Sequence, residues 1–245
     1  MSAIRGARER ARTEVTAAIK EEARRQLAER GAGELSLRAV ARELGMVSSA
    51  LYRYYRSRDE LLTALIVDAY DAIGAAAETA LATSEGEAPA GRWTAVCTAV
   101  RAWALAHPHE YALIYGSPVP GYSAPQDTNL PAGRVALALI EVVRAARAAG
   151  ALREPAAGEV PEPLLADARH LAGELGVELP AAVLARLVAA WAQLFGLVSF
   201  EVFGHFHGIV GAREEFFTRA VADLARGAGL ADAPPRQAGA VLPGE

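Results

Sequence analysis

Residues 34–62, ELSLRAVARELGMVSSALYRYYRSRDELL, constrain the fold more than any other stretch of the chain. Two short amphipathic helical patterns flank a break at Gly45. Two short helices cross closely only over a small side chain, and Ala41 supplies one. Four positions later their turn needs a residue tolerant of positive φ, and Gly45 is there. Val40, Leu44, Met46, Leu51 and Tyr54 fall at the offsets that face inward. All these positions agree with one geometry, a helix-turn-helix, whereas an ordinary helical hairpin needs no such agreement.

The polar residues fit the same geometry. Ser36 stands just before the Leu37–Leu44 pattern, where an N-cap belongs. Ser48 and Ser49 open the second helix, where backbone N–H groups and the helix dipole suit a phosphate. If Leu51 and Tyr54 anchor that helix and Tyr55 packs against the next, then Ser48, Ser49, Tyr52 and Arg53 are left to face a DNA groove. Arg38 reaches in from the preceding helix. Hydroxyls and guanidinium groups serve phosphates and base edges alike. Ser36 and Arg58 complete the candidate DNA contacts.

The run from Ala41 to Leu62, A-R-E-L-G-M-V-S-S-A-L-Y-R-Y-Y-R-S-R-D-E-L-L, resembles the TetR family of bacterial transcriptional regulators. The resemblance covers about residues 10–75. It implies that the run forms helix 2, recognition helix 3 and the start of helix 4. One departure matters. The family usually has Ser or Thr at the position of Val47, capping helix 3, and here the first hydroxyl is at Ser48. Whether the helix starts one residue later stays open, and with it the register of its first contacts.

Charge gives independent support. The chain carries a formal net charge of −4, yet residues 1–58 hold one Lys and twelve Arg against seven Glu, a net +6. The remainder is therefore −10. An acidic chain with a basic head suggests a local polyanion contact. Arg5, Arg8, Arg10 and Arg12 extend that footprint, although any one of them also suits a solvated terminus.

Other classes find little support. No run of about eighteen apolar residues suggests a membrane span. The charged start lacks an apolar signal core. A single cysteine, Cys97, excludes an internal disulfide and lies in the apolar stripe Trp93, Val96, Cys97, Val100, Ala104, so it reads as a packing residue. The expected location is the cytoplasm. His107-Pro-His109 and His205-Phe-His207 lack the acidic and thiol partners of a sharp metal pattern, so no metal is expected. There is no Gly-rich phosphate loop, nucleophile elbow or metalloprotease motif, so neither enzyme activity nor a cofactor is expected.

The chain reads as helical almost throughout. Val15, Ile19, Ala23 and Leu27 stripe a first helix ending near Gly31. Leu61, Leu62, Leu65, Ala69 and Ile73 stripe a fourth, running to about Leu81 and capped by Ser57 with Asp59 and Glu60. Further helices are expected over about 93–106, 109–115 and 137–149, with a Gly/Pro loop over 116–131 and a mobile stretch over 153–163. Pro180 to about Phe206 is a long helix apolar on more than one face, so it needs several partners. With Arg213–Ala228 it would form a four-helix interface between two copies. The family resemblance implies the same dimer. Residues 231–245 read as a disordered tail.

The stretch W-A-L-A-H-P-H-E-Y-A-L-I-Y-G-S-P-V-P-G-Y, 103–122, is the second informative run. It resembles a subgroup of TetR-type regulators with an H-P-x-x-Y-x-L-x-[YF]-G-x-P-x-x-G pattern, and W-A-Q-L-F-G at 191–196 fits that subgroup too. Aromatic side chains with polar tips around a Pro-broken turn suit a pocket for a mostly apolar guest, though each also suits a core position. The candidate ligand-binding residues are Trp93, Trp103, Tyr111, Tyr115, Trp191 and Phe195. Glu110 is the one formally charged residue in the two runs, with His counted as neutral.

The expected protein is all-α. An N-terminal three-helix head, residues 1–58, binds double-stranded operator DNA. Helix 4 joins it to a larger helical domain, residues 59–230, which binds a small-molecule effector and dimerises. The resemblance implies a repressor released by that effector. The alternative is a helical small-molecule-binding or architectural protein whose basic head binds DNA without sequence choice.

Overall fold

Apolar stripes of helical period, broken by Gly and Pro, parse the chain into ten α-helices among residues 2–230, the part described by a computed structural model. These are α1 (Ser2–Arg30), α2 (Leu37–Glu43), α3 (Ser48–Leu51), α4 (Arg58–Thr83), α5 (Pro89–Ala106), α6 (Pro108–Tyr115), α7 (Asn129–Ala148), α8 (Glu162–Leu175), α9 (Ala181–Val202) and α10 (Arg213–Gly227). Packing sorts them into two compact units. One holds residues up to 74 together with 103–134, and the other holds 75–102 together with those from 135 onward. The boundary falls inside α4, α5 and α7.

The first unit is built on the α1 stripe. Ile19, Ala23 and Leu27 are buried against Leu37, Val40 and Ala41 of α2, Leu51 of α3, and Leu61, Leu62 and Leu65 of α4. Leu113 and Ile114 of α6 pack on this core, as do Val119 and Tyr122 of the following loop. Local signals set the helix boundaries. The Ser36 hydroxyl accepts from the Ala39 N–H at 3.5 Å and starts α2. The Ser57 hydroxyl accepts from the Glu60 N–H at 3.1 Å, while the Glu60 carboxylate accepts from the Arg56 N–H at 2.6 Å. Together they form a reciprocal cap at the start of α4. On the other side of the unit Gly74 of α4 passes so near Arg134 of α7 that a Cβ would lie 2.7 Å from the Arg134 Cβ. The same arginine donates to the Asp71 carboxylate at 2.7 Å.

In the second unit Trp93, Val96, Cys97 and Val100 of α5 are fully buried, and so are Leu139 and Val143 of α7. Helices α8 and α10 both pack on α9. By length and composition alone α9 would cross a membrane. Its buried face nevertheless carries Glu201, which takes a bidentate ion pair from Arg101 at 2.6 and 2.7 Å. The Arg101 guanidinium also lies 5.0 Å from the centre of the Phe217 ring of α10. One charge pair therefore joins α5, α9 and α10.

Three expectations differ from the structure. Helix α7 begins at Asn129, not near 137, because Pro131 sits in its first turn, where a missing N–H leaves no bond unmade. The stretch over 153–163, expected to be mobile, is anchored. The Glu159 carboxylate accepts from the Ala156 N–H at 2.9 Å and from Arg186, and Glu154 pairs with Arg147 at 2.8 Å. No helix is expected over 162–175, yet α8 forms there: Leu164, Leu165, Ala168, Leu171 and Leu175 recur at helical spacing, although only Ala168 is buried. The stretch expected to be a tail, 231–245, lies outside the described residues.

Candidate nucleic-acid interface and effector site

The α2–turn–α3 element shows why its residues face as they do. Ala41 is buried where the helices cross. Gly45 takes φ 64°, and the Met46 N–H reaches back to the Ala41 carbonyl at 2.8 Å, closing α2 in a six-to-one turn. Val47 occupies the N-cap of α3 in extended conformation and makes no side-chain cap bond. The first helical residue is still Ser48, so losing a capping hydroxyl removes a bond without moving the helix start. Helix α3 spans four α-helical residues and then tightens, with Arg53 and Tyr54 donating to carbonyls three residues back.

Leu51 has no exposure and Tyr55 only 6%, so these two anchor α3. Burial pushes the Tyr55 hydroxyl pKa above its ordinary value. Tyr54 is half-buried, with the Arg12 guanidinium 5.3 Å from its ring centre. Ser48, Ser49, Tyr52, Arg53 and Arg38 are all exposed. Two other candidates are engaged within the fold. The Ser36 hydroxyl caps α2. Arg58 donates to the Ala32 and Gly33 carbonyls at 2.8 and 3.3 Å, fastening the short 3-10 turn Ala32–Glu34 to the start of α4.

The six aromatic candidates divide between the units. In the first, Trp103 stacks on His107 with ring centres 5.0 Å apart. Tyr111 and Tyr115 lie 5.1 Å apart, and Tyr70 of α4 meets Tyr115 edge-on at 6.0 Å. Burial pushes the Tyr115 hydroxyl well above the usual phenol range and raises that of Tyr70 as well. In the second unit Trp191 and Phe195 meet edge-on at 5.4 Å, and Trp93 is fully buried. The indole N–H groups of Trp93 and Trp191 are buried and find no acceptor among the described residues.

Sequence reasoning passed over one cluster in the first unit. Arg24 of α1 donates to Glu110 of α6 at 3.1 Å and to Asp68 of α4 at 2.9 Å, and Lys20 donates to the same Asp68 at 2.7 Å. Arg24, Asp68 and Glu110 border a groove of about 890 Å³ that is also lined by Trp103 and His107. Arg24 and Glu110 are 86 positions apart, so no local pattern links them.

Comparison with known proteins agrees with this geometry. Residues 19–65 match the family "Bacterial regulatory proteins, tetR family", and residues 93–224 match "Tetracyclin repressor-like, C-terminal domain". The HTH-type transcriptional regulator Rv1816 of Mycobacterium tuberculosis is 43% identical over 202 residues, which cover 82% of this chain and 86% of that protein. A crystal structure of the regulatory protein SCO4313 superposes with a TM-score of 0.72 at 36% identity, covering 88% of this chain and 97% of that one. A protein of unknown function from Rhodococcus sp. RHA1 follows at TM-score 0.66 and 25% identity, covering 87% and 95%. With a helix-turn-helix displaying five polar side chains outward and both family descriptions matched in order, the chain belongs to the TetR family of DNA-binding transcriptional regulators.

Proposed function

We propose that the protein is a cytoplasmic repressor that occupies its operator as a homodimer and leaves it when a small molecule binds. Residues 1–58 act as the DNA-binding head, and 59–230 bind the effector and dimerise. The observation that carries this reading is the outward display of Ser48, Ser49, Tyr52 and Arg53 around α3, with Arg38 beside them. Their opposite face is occupied by Leu51 and Tyr55. One such module binds weakly, and paired modules reading half-sites about 34 Å apart restore affinity and specificity.

The dimer reading rests on exposed aromatic surface at the end of α9 and on α10, where Phe200, Phe203 just past α9, and Phe216 are each at least 40% exposed. Patches of that kind mark association surfaces. For the effector site we favour the second unit, around Trp93, Trp191 and Phe195. The two unpartnered indole donors there suit a mostly apolar molecule bearing at least one acceptor oxygen.

The test begins with a duplex selected by the protein from a random pool. Fluorescence anisotropy then compares the wild type with alanine variants of the five α2–α3 residues, in the presence of random competitor DNA at physiological salt. Loss of discrimination in the variants is expected. Equal affinity of the wild type for selected and random DNA would leave only non-specific binding. A thermal-shift hit should weaken operator binding in the wild type, and Trp191→Phe should reduce that response.

A further inference from the structure

We propose that Arg24 is a positioning residue that locks α6 to the DNA-binding head through Glu110, so that operator engagement and the placement of α6 become one equilibrium. The inference rests on the reading of the head as the DNA-binding element.

Glu110 is the only Asp, Glu, Lys or Arg in the 103–122 run. It stands in the first turn of α6, just after Pro108, and its side chain is only 20% exposed. Such withdrawal from water favours a carboxylate only if a cation meets it. Arg24 does so, and one planar guanidinium reaches two helices. Its Nε goes to Glu110 of α6 at 3.1 Å and one Nη to Asp68 of α4 at 2.9 Å. A lysine has a single donor head and could not hold that fork. Lys20 supplies a second cation to Asp68 at 2.7 Å, so two cations serve the two partly buried carboxylates, while Glu21 meets Arg24 from the solvent side.

Arg24 directly follows Ala23, whose side chain is fully buried in the core shared with α2 and α4. A displacement of Arg24 therefore displaces the helix on which α2 rests. The far end of α6 is tied as well. Gly116 ends α6 in an extended conformation in which any Cβ would collide with the Ala112 carbonyl. The chain then turns back so that Val119 and Tyr122 pack on the head core, and the Tyr122 hydroxyl meets the Thr63 hydroxyl of α4 at 2.9 Å. With both ends held, α6 shifts together with α1 and α4 or not at all. Coupling of this kind travels through packed, charge-fastened elements.

The test uses the full chain and a duplex that the wild-type protein recovers from a random pool. Hydrogen exchange of the α6 amides is followed with and without that duplex. In the wild type the duplex should slow exchange in both α3 and α6, in α6 by at least about fivefold, the low end of ordinary allosteric coupling. Glu110→Gln keeps the side chain's shape and removes its charge. It should abolish the slowing in α6 while α3 remains protected. Glu110→Asp returns the charge and should recover part of the effect. Glu21→Gln removes only the partner of Arg24 on its own helix, at 3.3 Å, and should leave the α6 effect at the wild-type level. Undiminished α6 slowing in Glu110→Gln, or protected α3 with unprotected α6 in the wild type, overturns the proposal while leaving DNA binding intact. Recovery of no duplex at all overturns the DNA reading and the coupling together.

Discussion

Arg53 and Arg58 carry the same charge five positions apart and do different things. The exposed Arg53 has no fold role to lose, so Arg53→Ala should weaken operator binding by about 1–3 kcal/mol if it reads a base, with folding unchanged. Arg58 holds two backbone carbonyls of the 3-10 turn. Arg58→Ala should instead lower the stability of the head by about 1.5–3 kcal/mol, the usual worth of a hydrogen bond involving a charged group. Fluorescence anisotropy and urea unfolding on both variants separate the two roles, and the opposite pattern would refute the assignment. Cys97 offers a simpler check. Burial pushes its thiol pKa far above the ordinary value, so the thiolate is scarce and shielded. A thiol reagent should label the native protein slowly and the unfolded protein at once; rapid native labelling would show an open second unit.

At the scale of elements, the turn of the helix-turn-helix depends on Gly45. Its φ of 64° would strain any residue with a Cβ, and Gly45→Ala should cost about 1–2 kcal/mol even though no atom crowds the site. A thermal melt that leaves the midpoint unmoved would contradict this. Helices α9 and α10 pose a sharper question. Phe216 is 40% exposed, whereas its neighbour Phe217 is 3% exposed and lies beneath Arg101. Phe216→Glu should therefore yield a folded monomer by sedimentation, because the new charge sits only in the proposed interface. Phe217→Glu buries a carboxylate in the core and should unfold the unit. A dimeric Phe216→Glu protein would place the interface elsewhere.

For the whole molecule, the contrast between a head of net +6 and a remainder of −10 makes a quantitative claim. Operator affinity should fall as salt rises, with a log–log slope of about −0.9 per phosphate neutralised. Arg53→Ala should reduce that slope by about one if the guanidinium meets a phosphate and barely change it if it reads a base. A salt-independent affinity would rule out the basic head as the contact surface.

The helix-turn-helix was legible in the sequence because its determinants are local. A small residue at the crossing, a glycine at the turn and apolar offsets all lie within one short run, and the caps at Ser36 and Ser57 act on amides three residues away. The outward set at Ser48, Ser49, Tyr52 and Arg53 followed from the same periodicity. Helix α8 was equally legible, since Leu164, Leu165, Ala168, Leu171 and Leu175 recur at helical spacing, although the Pro- and Glu-rich stretch before it reads as loop. The roles of Arg58, Glu110 and Glu201 could not be read at all. Arg58 resembles any basic residue beside a recognition helix until the 3-10 turn folds back onto it. Glu110 resembles a surface charge, and its partner is 86 positions away. Glu201 sits in an apolar helix, and Arg101, 100 positions earlier, makes its burial tolerable. Local backbone preference and side-chain period determined which helices form and which face of α3 is displayed. Only the tertiary structure decided which charges meet, because ion pairing depends on distance in space and sequence separation says nothing of it.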